Sequence, residues 1–505
     1  MVQGQPSAKN LAKNFGNQQN AQNSGGSKST STDSGITFKK SENTAEWYEQ
    51  VCLKSELVDF GEIKGTMVIR PKGYYIWQQI QNYFNAKIDS IGVENASFPM
   101  LIPERFFKKE AEHAEGFAPE LAWVMTNNQE SGEDKAIIRP TSETIIVDQF
   151  RKWLRNYKQL PIKVNQWCNI IRWETKQTKL FLRSREFQWQ EGHCIYETKE
   201  ECVADVLKVL QFYVDVCRDV LALPLITGPK TPAEKFAGAE TTYAIEAIMP
   251  DGKGLQAGTS HYLGQGFMKA FDVKYKGADG LDHYPHYNSW GITTRLLGAA
   301  VMTHSDDKGL VLPPNVCKKK IVIIPIRRKE MPVGFDDYVK NVQMRLSAYG
   351  AVVDDRSDYS MGFKLNEYEL QGVPLIVLIG GQEMQKNVVT LKYRDLDSKR
   401  EAGLLDLDNT VKFGFEEMHK RLFDRAQEFM DSRIVTVDSI PALTAAVADG
   451  KIARAFFAAD KAVEQQITEQ YGFGTRCIDM NNTTEGVCLF TGKKTNNLVY
   501  FGRNY

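Results

Sequence analysis

The segment from Asn169 to His193 (NIIRWETKQTKLFLRSREFQWQEGH) constrains the fold more than any other part of the chain. Strand-like runs on both sides of a polar stretch predict two antiparallel strands joined by a loop. The first strand is predicted to end at Arg172-Trp173-Glu174, and the second to carry Arg183-Ser184-Arg185-Glu186-Phe187. Two guanidinium groups on one surface can bind oxyanions, and an aromatic ring can stack on a base. The segment predicts a nucleoside triphosphate site, although an ordinary charged surface hairpin has the same composition.

A second motif, Tyr287 to Arg295 (YNSWGITTR), precedes the helix-compatible run LLGAAVMTH. A Gly before a helix lets backbone and ligand approach closely. Arg295 near the helix start could cover the other face of a base as a cation–π partner. Alone, this motif is weak evidence for a site.

A third motif is Arg139-Pro-Thr-Ser-Glu143. Thr141 and Glu143 could hold a substrate ammonium group by charge-assisted hydrogen bonds. A capping box fits equally well, because Thr141 or Ser142 before a helical run also suits an N-cap. Both interpretations stay open for this motif.

A fourth motif, Leu255 to Gly266 (LQAGTSHYLGQG), places three polar side chains among Gly residues. Gln256, Thr259 and His261 could line a polar pocket. They could also form an ordinary turn cluster.

Length and local pattern predict about three domains after a polar tail. Residues 1–36 hold few aliphatic side chains and are predicted to be a disordered tail. Residues 42–315 form the first predicted domain, which includes a helix from about Tyr74 to Ile91. Strands and helices alternate over 318–425, which predicts an α/β domain. Residues 426–505 are predicted to form a small mixed α/β unit.

Composition limits the classes of partner. Lys plus Arg equals Asp plus Glu at 63 each, so a nucleic acid must be met by local basic patches. The eight Cys are scattered, which favours reduced thiols over a disulfide framework. No signal peptide or membrane-spanning run is visible, so we expect a cytoplasmic protein without membrane contact.

Taken together and in order, these motifs resemble those of the class II aminoacyl-tRNA synthetases. Pro99 after a long helix looks like their dimer-forming first motif, the Arg172 hairpin like the second, and Gly291 to Arg295 like the third. Several strings (RPTSET, NQWCNIIRWE, REFQWQEGH, FAGAE, GTSHYLGQ, NSWGITTR) resemble the prolyl-tRNA synthetase family of the eukaryotic and archaeal type. The resemblance covers residues from about 42 to 505.

The resemblance implies an α+β protein with an antiparallel-sheet catalytic domain, an α/β anticodon-binding domain and a small C-terminal domain. It implies a homodimer that uses ATP and Mg²⁺ to activate L-proline and then charges tRNA(Pro). Arg172 and Arg295 would be the catalytic residues. The positions matching ATP contacts are Arg172, Glu174, Arg183, Ser184, Phe187, Gln256, Thr259, Thr293 and Arg295. Those matching the proline pocket are Thr141, Glu143, Arg172, Trp189, Glu191, His193, Phe236 and His261. Gln256 is also the candidate Mg²⁺ ligand.

Two alternatives and one departure accompany this resemblance. The threonyl enzymes carry a zinc-ligating Cys in the loop where this chain has Thr141-Ser142-Glu143, and Thr cannot replace a thiolate. A synthetase-like chain that had become an RNA-binding module would be expected to lose one of its motif arginines, but all three are present. The related C-terminal domain often holds four zinc-binding Cys, whereas only Cys477 and Cys488 occur here. Zinc is therefore not expected.

Overall fold

A computed structural model describes residues 35–106, 121–125, 135–173 and 177–505. Nearly all of the predicted tail, 1–36, thus lies outside the described residues. The strands in chain order are β1 (Val58–Phe60), β2 (Met67–Ile69), β3 (Glu94–Asn95), β4 (Leu101–Pro103), β5 (Ala122–Val124), β6 (Ala136–Ile138), β7 (Ile162–Ile171), β8 (Glu186–Tyr196), β9 (Ile226–Pro229), β10 (Thr241–Ile248), β11 (Gly254–Gly264), β12 (Tyr275–Lys276), β13 (Asp282–His283), β14 (His286–Thr293), β15 (Ile321–Pro325), β16 (Val352–Val353), β17 (Leu375–Ile379), β18 (Val388–Tyr393), β19 (Lys399–Gly403), β20 (Ile434–Thr436), β21 (Ile452–Phe456), β22 (Gly474–Ile478), β23 (Gly486–Val487), β24 (Lys494–Thr495) and β25 (Leu498–Gly502).

The helices pack around three of the sheets that these strands form. The α-helices are α1 (Thr44–Lys54), α2 (Pro71–Asp89), α3 (Glu143–Trp153), α4 (Lys199–Asp215), α5 (Gly266–Ala270), α6 (Arg295–His304), α7 (Phe335–Arg345), α8 (Met361–Leu370), α9 (Gly381–Lys386), α10 (Leu407–Arg433), α11 (Ile440–Ala448) and α12 (Lys461–Tyr471). A π-helical turn (Val216–Val220) continues α4. Short 3₁₀ turns occur at Tyr157–Gln159, Pro314–Val316, Ser347–Tyr349 and Leu404–Asp406.

The predicted long helix is confirmed as α2, although it begins three residues earlier, at Pro71. Proline fits the first helical position because its missing N–H would have no partner there. The apolar positions buried by α2 include Ile76, Ile80, Phe84 and Ile88, one per helical turn. They join the core that packs against the largest sheet.

The largest sheet carries the predicted hairpin and has, among the described residues, the strand order β3-β7-β8-β14-β11-β10-β9. Only β3 and β7 pair in parallel, and the other neighbours are antiparallel. The antiparallel catalytic sheet expected from the resemblance is thus confirmed. The predicted strands were longer than the observed ones, because β7 ends before Arg172 and β8 begins only at Glu186. Arg183 instead exchanges backbone hydrogen bonds with Lys179 in the connecting turn.

Two smaller sheets follow in the chain. One, called the second sheet below, has the order β16-β15-β17-β18-β19. Its pairing is parallel from β16 to β17 and antiparallel from β17 to β19. The other has the order β20-β21-β25-β22. The predicted α/β alternation is confirmed for β15, α7, β16, α8 and β17. Helix α10 runs without a break through Arg425, the predicted end of the second domain.

Within the described ranges, no helix has both the length and the apolar composition that a membrane-spanning segment needs.

Candidate active site

The predicted site residues converge on a cavity of about 620 Å³ above the central sheet. The lining includes every predicted ATP and proline position except Glu174, which lies outside the described residues: Thr141, Glu143, Arg172, Arg183, Ser184, Phe187, Trp189, Glu191, His193, Phe236, Gln256, Thr259, His261, Thr293 and Arg295. Residues two apart on a strand share a face, and this explains the convergence. The cross-strand partners Trp189–Thr293, Glu191–Gly291 and Gly291–Thr259 keep the side chains of three strands on one surface.

Three arginines form the positive end of the cavity. Arg295 is the first residue of α6, and its Nε and Nη1 donate to the carbonyl oxygens of Leu182 (3.1 Å) and Gln256 (3.0 Å). Burial and the charge of Arg172 lower the pKa of Arg295 to about 10, and Arg183 adds to this effect. Arg295 therefore stays charged near neutral pH, and the three charges repel one another. An anion between them would offset that repulsion.

Arg172 also faces the aromatic side of the cavity. Its Nε donates to the carbonyl oxygen of Pro140 (3.1 Å). Its guanidinium carbon lies 5.8 Å from the ring centre of Phe187 and 5.6 Å from that of Trp189. These contacts orient the guanidinium group along the wall, where a planar ligand could meet both charge and aromatic surface.

Glu191 is the centre of a buried hydrogen-bond network at the other end of the cavity. Its Oε2 lies 3.0 Å from Nε2 of His193, and Oε1 accepts from Nε2 of Gln166 (2.6 Å) and from the hydroxyl of Ser142. Burial acts to raise the pKa of Glu191, but the bonds from His193, Ser142 and Gln166 outweigh it and hold the pKa below its usual value. His193 Nδ1 lies 2.5 Å from the hydroxyl of Tyr287. The network fixes these side chains as a rigid pocket wall.

The structure excludes one of the two interpretations left open for the motif around Glu143. Ser142 occupies the N-cap position of α3, but its side chain makes no capping bond. Its hydroxyl bonds to Glu191 instead, so the capping-box interpretation is wrong. Glu143 is buried, lines the cavity, and accepts from the hydroxyls of Thr141 and Ser289. A carboxylate at a helix start is also favoured by the helix dipole.

The polar residues of the fourth motif lie on β11, so the turn-cluster interpretation is wrong. His261 packs against Phe236, with ring centres 4.8 Å apart, and its Nδ1 lies 2.9 Å from the hydroxyl of Thr242. Burial lowers the pKa of His261 to about 3, and the nearby His193 adds to this shift. His261 is therefore a neutral hydrogen-bonding group in the folded protein.

We expect the imidazole of His261 to stay neutral from about pH 8 to about pH 5, across the range where an ordinary histidine titrates. The unfolded chain gains a proton below about pH 6.5 while the folded chain does not. The free energy of unfolding therefore decreases as the pH falls from about 6.5 towards 3. NMR of protein labelled in histidine, with His261→Gln to assign the resonance, checks this. A midpoint near the ordinary value would contradict it.

Several lining residues were not predicted from the sequence. Asn504 and Tyr505 reach the cavity because the backbone of Arg503 and Tyr505 bonds to Gly254 at the start of β11. Lys179 donates to the hydroxyl of Tyr505 (2.7 Å). No local pattern signals such long-range contacts.

The two cysteines of the C-terminal domain lie in separate packing clusters. Cys477 is buried with residues such as Ile226 and Met430, whereas Cys488 packs near Phe457. Among the described residues, no three His, Cys, Asp or Glu side chains form a metal-binding group.

We predict that metal analysis of the purified, untagged protein finds well under one zinc per chain. A tetrahedral structural site needs four ligands, and two thiolates do not complete it. A mole of zinc per chain, lost on changing Cys477 and Cys488 to Ser, would contradict the prediction.

Comparison with known proteins follows the same three-part order. Residues 123–304 match the family "tRNA synthetase class II core domain (G, H, P, S and T)" and residues 320–415 match "Anticodon binding domain". Residues 442–505 match "Prolyl-tRNA synthetase, C-terminal". The antiparallel sheet, the arginine-lined cavity and these matches define a class II aminoacyl-tRNA synthetase.

Relatives narrow the class. The chain is 41% identical over 466 residues to a proline--tRNA ligase of Clostridium botulinum (strain Loch Maree / Type A3), covering 92% of this chain and 97% of the relative. A proline--tRNA ligase of Acetoanaerobium sticklandii is 42% identical over 468 residues, with the same coverage. The chain belongs to the prolyl-tRNA synthetase family.

Solved structures agree with this assignment. Prolyl-tRNA synthetase from Cryptosporidium parvum complexed with halofuginone and AMPPNP superposes with a TM-score of 0.89 at 36% identity, covering 94% of this chain and 98% of the other. The same enzyme complexed with L-proline and AMP gives a TM-score of 0.88 at 35% identity, covering 94% and 100%.

Proposed function

We propose that this chain activates L-proline with ATP and transfers the prolyl group to tRNA(Pro). The observation that carries the proposal is one cavity with three converging arginines at one end and two buried carboxylates, Glu143 and Glu191, at the other. An anionic nucleotide fits the first end and a cationic amino group fits the second. The intact arginines favour an enzyme over a non-catalytic RNA-binding module.

In the first step, a carboxylate oxygen of proline attacks the α-phosphorus of ATP. A new bond joins this oxygen to phosphorus, and the bond to the β-phosphate oxygen breaks, so pyrophosphate leaves with its electron pair. Arg172 spans the two substrates and stabilises the charge on the α-phosphate. Arg183 and Arg295 hold the terminal phosphates, and the base lies between Phe187 and Arg295. Positioning and electrostatic stabilisation drive the step without a protein nucleophile.

The remaining ATP contacts follow from their places on the cavity wall. The wall offers hydroxyl and amide groups to the nucleotide from Ser184, Gln256, Thr259 and Thr293. Glu174 is proposed to contact ATP as well. Mg²⁺ prefers oxygen ligands and commonly binds through substrate phosphates. The Gln256 side-chain oxygen would be its protein ligand, and the ion would neutralise phosphate charge.

The proline end holds a cyclic amino acid. Thr141 and Glu143 bind its nitrogen, with His261 beside them. Trp189, Glu191, His193 and Phe236 form the surrounding walls. Because the Glu191 network is already complete within the protein, the pocket needs little rearrangement to receive its ligand.

In the second step, the prolyl group moves from the adenylate to a hydroxyl of the terminal ribose of tRNA, and AMP leaves. The domain around the second sheet, predicted at 318–425, binds the anticodon. The C-terminal domain, 426–505, packs beside the catalytic domain, 42–315. Met100, Leu101 and Trp123 are 46%, 48% and 42% exposed near the first motif, which suits the proposed homodimer interface. A cytoplasmic location completes the proposal.

The deciding experiment is proline-dependent exchange of pyrophosphate into ATP, followed by charging of tRNA(Pro). The proposed activity requires both, and charging should weaken when the anticodon is substituted. Exchange that is faster with another amino acid than with proline, or no exchange at all in folded protein, would refute the proposal.

We predict measurable activation of alanine. A pocket shaped for a larger side chain cannot strongly exclude a smaller one, because each missing methylene weakens binding by only about 1–3 kcal/mol. Exchange with alanine should therefore be slower than with proline yet above background. The span from β8 to β14 is largely occupied by elements of the catalytic domain, so we expect no hydrolysis of alanyl-tRNA by this chain alone. Such hydrolysis would contradict that part of the prediction.

A further inference from the structure

Helix α6 begins at the ATP end of the cavity and ends close to an ion pair with the domain of the second sheet. Helix α6 runs from Arg295 to His304, a length of about 15 Å at 1.5 Å per residue. Two residues later, the carboxylate of Asp306 accepts from Nη1 (2.8 Å) and Nη2 (2.6 Å) of Arg394. Arg394 directly follows β18. One rigid helix thus connects a substrate-binding arginine to this ion pair.

Both partners of the pair are fixed by further bonds. The Arg394 side chain is 1% exposed, and its Nε donates to the carbonyl oxygen of Glu369 (2.8 Å). The carbonyl oxygen of Asp306 accepts from Nε1 of the buried Trp47 (3.0 Å). Burial acts to raise the pKa of Asp306, but the Arg394 guanidinium outweighs it and holds the pKa below its usual value. A bidentate pair with fixed partners sets an orientation as well as a distance.

A second ion pair joins the same two segments and is exposed on both sides, whereas the first pair combines the buried Arg394 with an Asp306 side chain that is 46% exposed. Nζ of Lys308 lies 2.6 Å from Oδ1 of Asp397, and these side chains are 52% and 92% exposed. Exposed pairs contribute little because water and salt screen them. Lys308 and Asp397 therefore provide a matched control for Asp306 and Arg394.

We propose that Asp306 and Arg394 are positioning residues that hold the anticodon-binding domain in the orientation that lets one tRNA reach both domains. This proposal rests on the proposed function. Activation of proline uses only the cavity and does not need the orientation. Charging needs it, because a tRNA bound at the second sheet must also place its terminal ribose at the adenylate. A small rotation of one domain relative to the other would misplace the far end of the tRNA.

The test uses the full-length protein with Asp306→Asn, Arg394→Gln and the double variant. Pyrophosphate exchange should stay within about twofold of the unmodified protein. The KM for tRNA in charging should rise about tenfold, the order expected for a charged hydrogen-bonded pair. The preference for the native anticodon over a substituted one should shrink. Lys308→Gln and Asp397→Asn should leave all three measurements unchanged.

The double variant decides whether the two residues act as a unit. If they do, it is no worse than the more affected single variant, because each single change already breaks the pair. Additive effects would overturn the proposal. Unchanged charging, or equal loss of exchange and charging, would also overturn it. Failure of the proposed function would appear separately, as absent proline-dependent exchange in the unmodified protein.

Discussion

Arg172→Ala is expected to reduce proline-dependent pyrophosphate exchange by about 10²–10³-fold, as removal of a transition-state charge contact typically does. Arg172 lies between the arginine end of the cavity and the aromatic wall of Phe187 and Trp189. In the proposed mechanism it contacts both the α-phosphate and the carboxylate that attacks it. Steady-state exchange at saturating ATP and proline measures the loss.

Two further variants make this prediction specific. Arg172→Lys keeps the charge but loses the planar, bidentate group, so it should recover only part of the rate. Arg151→Ala removes an exposed arginine of α3 that pairs with Asp148, and it should leave exchange unchanged. Near-normal exchange in folded Arg172→Ala protein would mean that Arg172 does not act on the reacting groups.

The sequence predicted which residues line the cavity better than it predicted their local geometry. Arg172 and Arg183 were correctly placed around one loop, because strand-like runs flanking a polar stretch indicate a hairpin. The strand ends were wrong by one to three residues, since Arg183 pairs with Lys179 in a turn that resembles strand sequence locally. Pattern alone also left Glu143 and His261 undecided between site and turn or cap.

Contacts between distant parts of the chain could not be predicted from local pattern. Tyr505 reaches the cavity through backbone bonds near Gly254, and Arg394 meets Asp306 across 88 positions of sequence. Such contacts depend on how complete domains pack. The neutral state of His261 likewise depends on burial, which only the folded chain provides.

The buried carboxylate of Glu143 separates the two halves of the cavity by experiment. Glu143→Gln keeps the size of the side chain and removes the charge that is proposed to pair with the proline nitrogen. Truncating one partner of a buried, hydrogen-bonded charge pair costs about 2–5 kcal/mol, so kcat/KM for proline should fall by at least about 30-fold. The KM for ATP should change little, because the arginine end is untouched. Pyrophosphate exchange with each substrate varied in turn measures both.

Glu191→Gln is the informative comparison, because Glu191 is also a buried carboxylate of the proline end but accepts its hydrogen bonds from Ser142, Gln166 and His193. Its neutralisation should disturb the shape of the pocket, whereas neutralising Glu143 should remove a direct partner of the ligand.

A matching test replaces proline with tetrahydrofuran-2-carboxylate, which keeps the ring and the carboxylate but has no ammonium group. If Glu143 binds the nitrogen, the unmodified protein should bind this analogue more weakly than proline, and Glu143→Gln should narrow the difference. An unchanged difference would show that Glu143 does not contact the proline nitrogen.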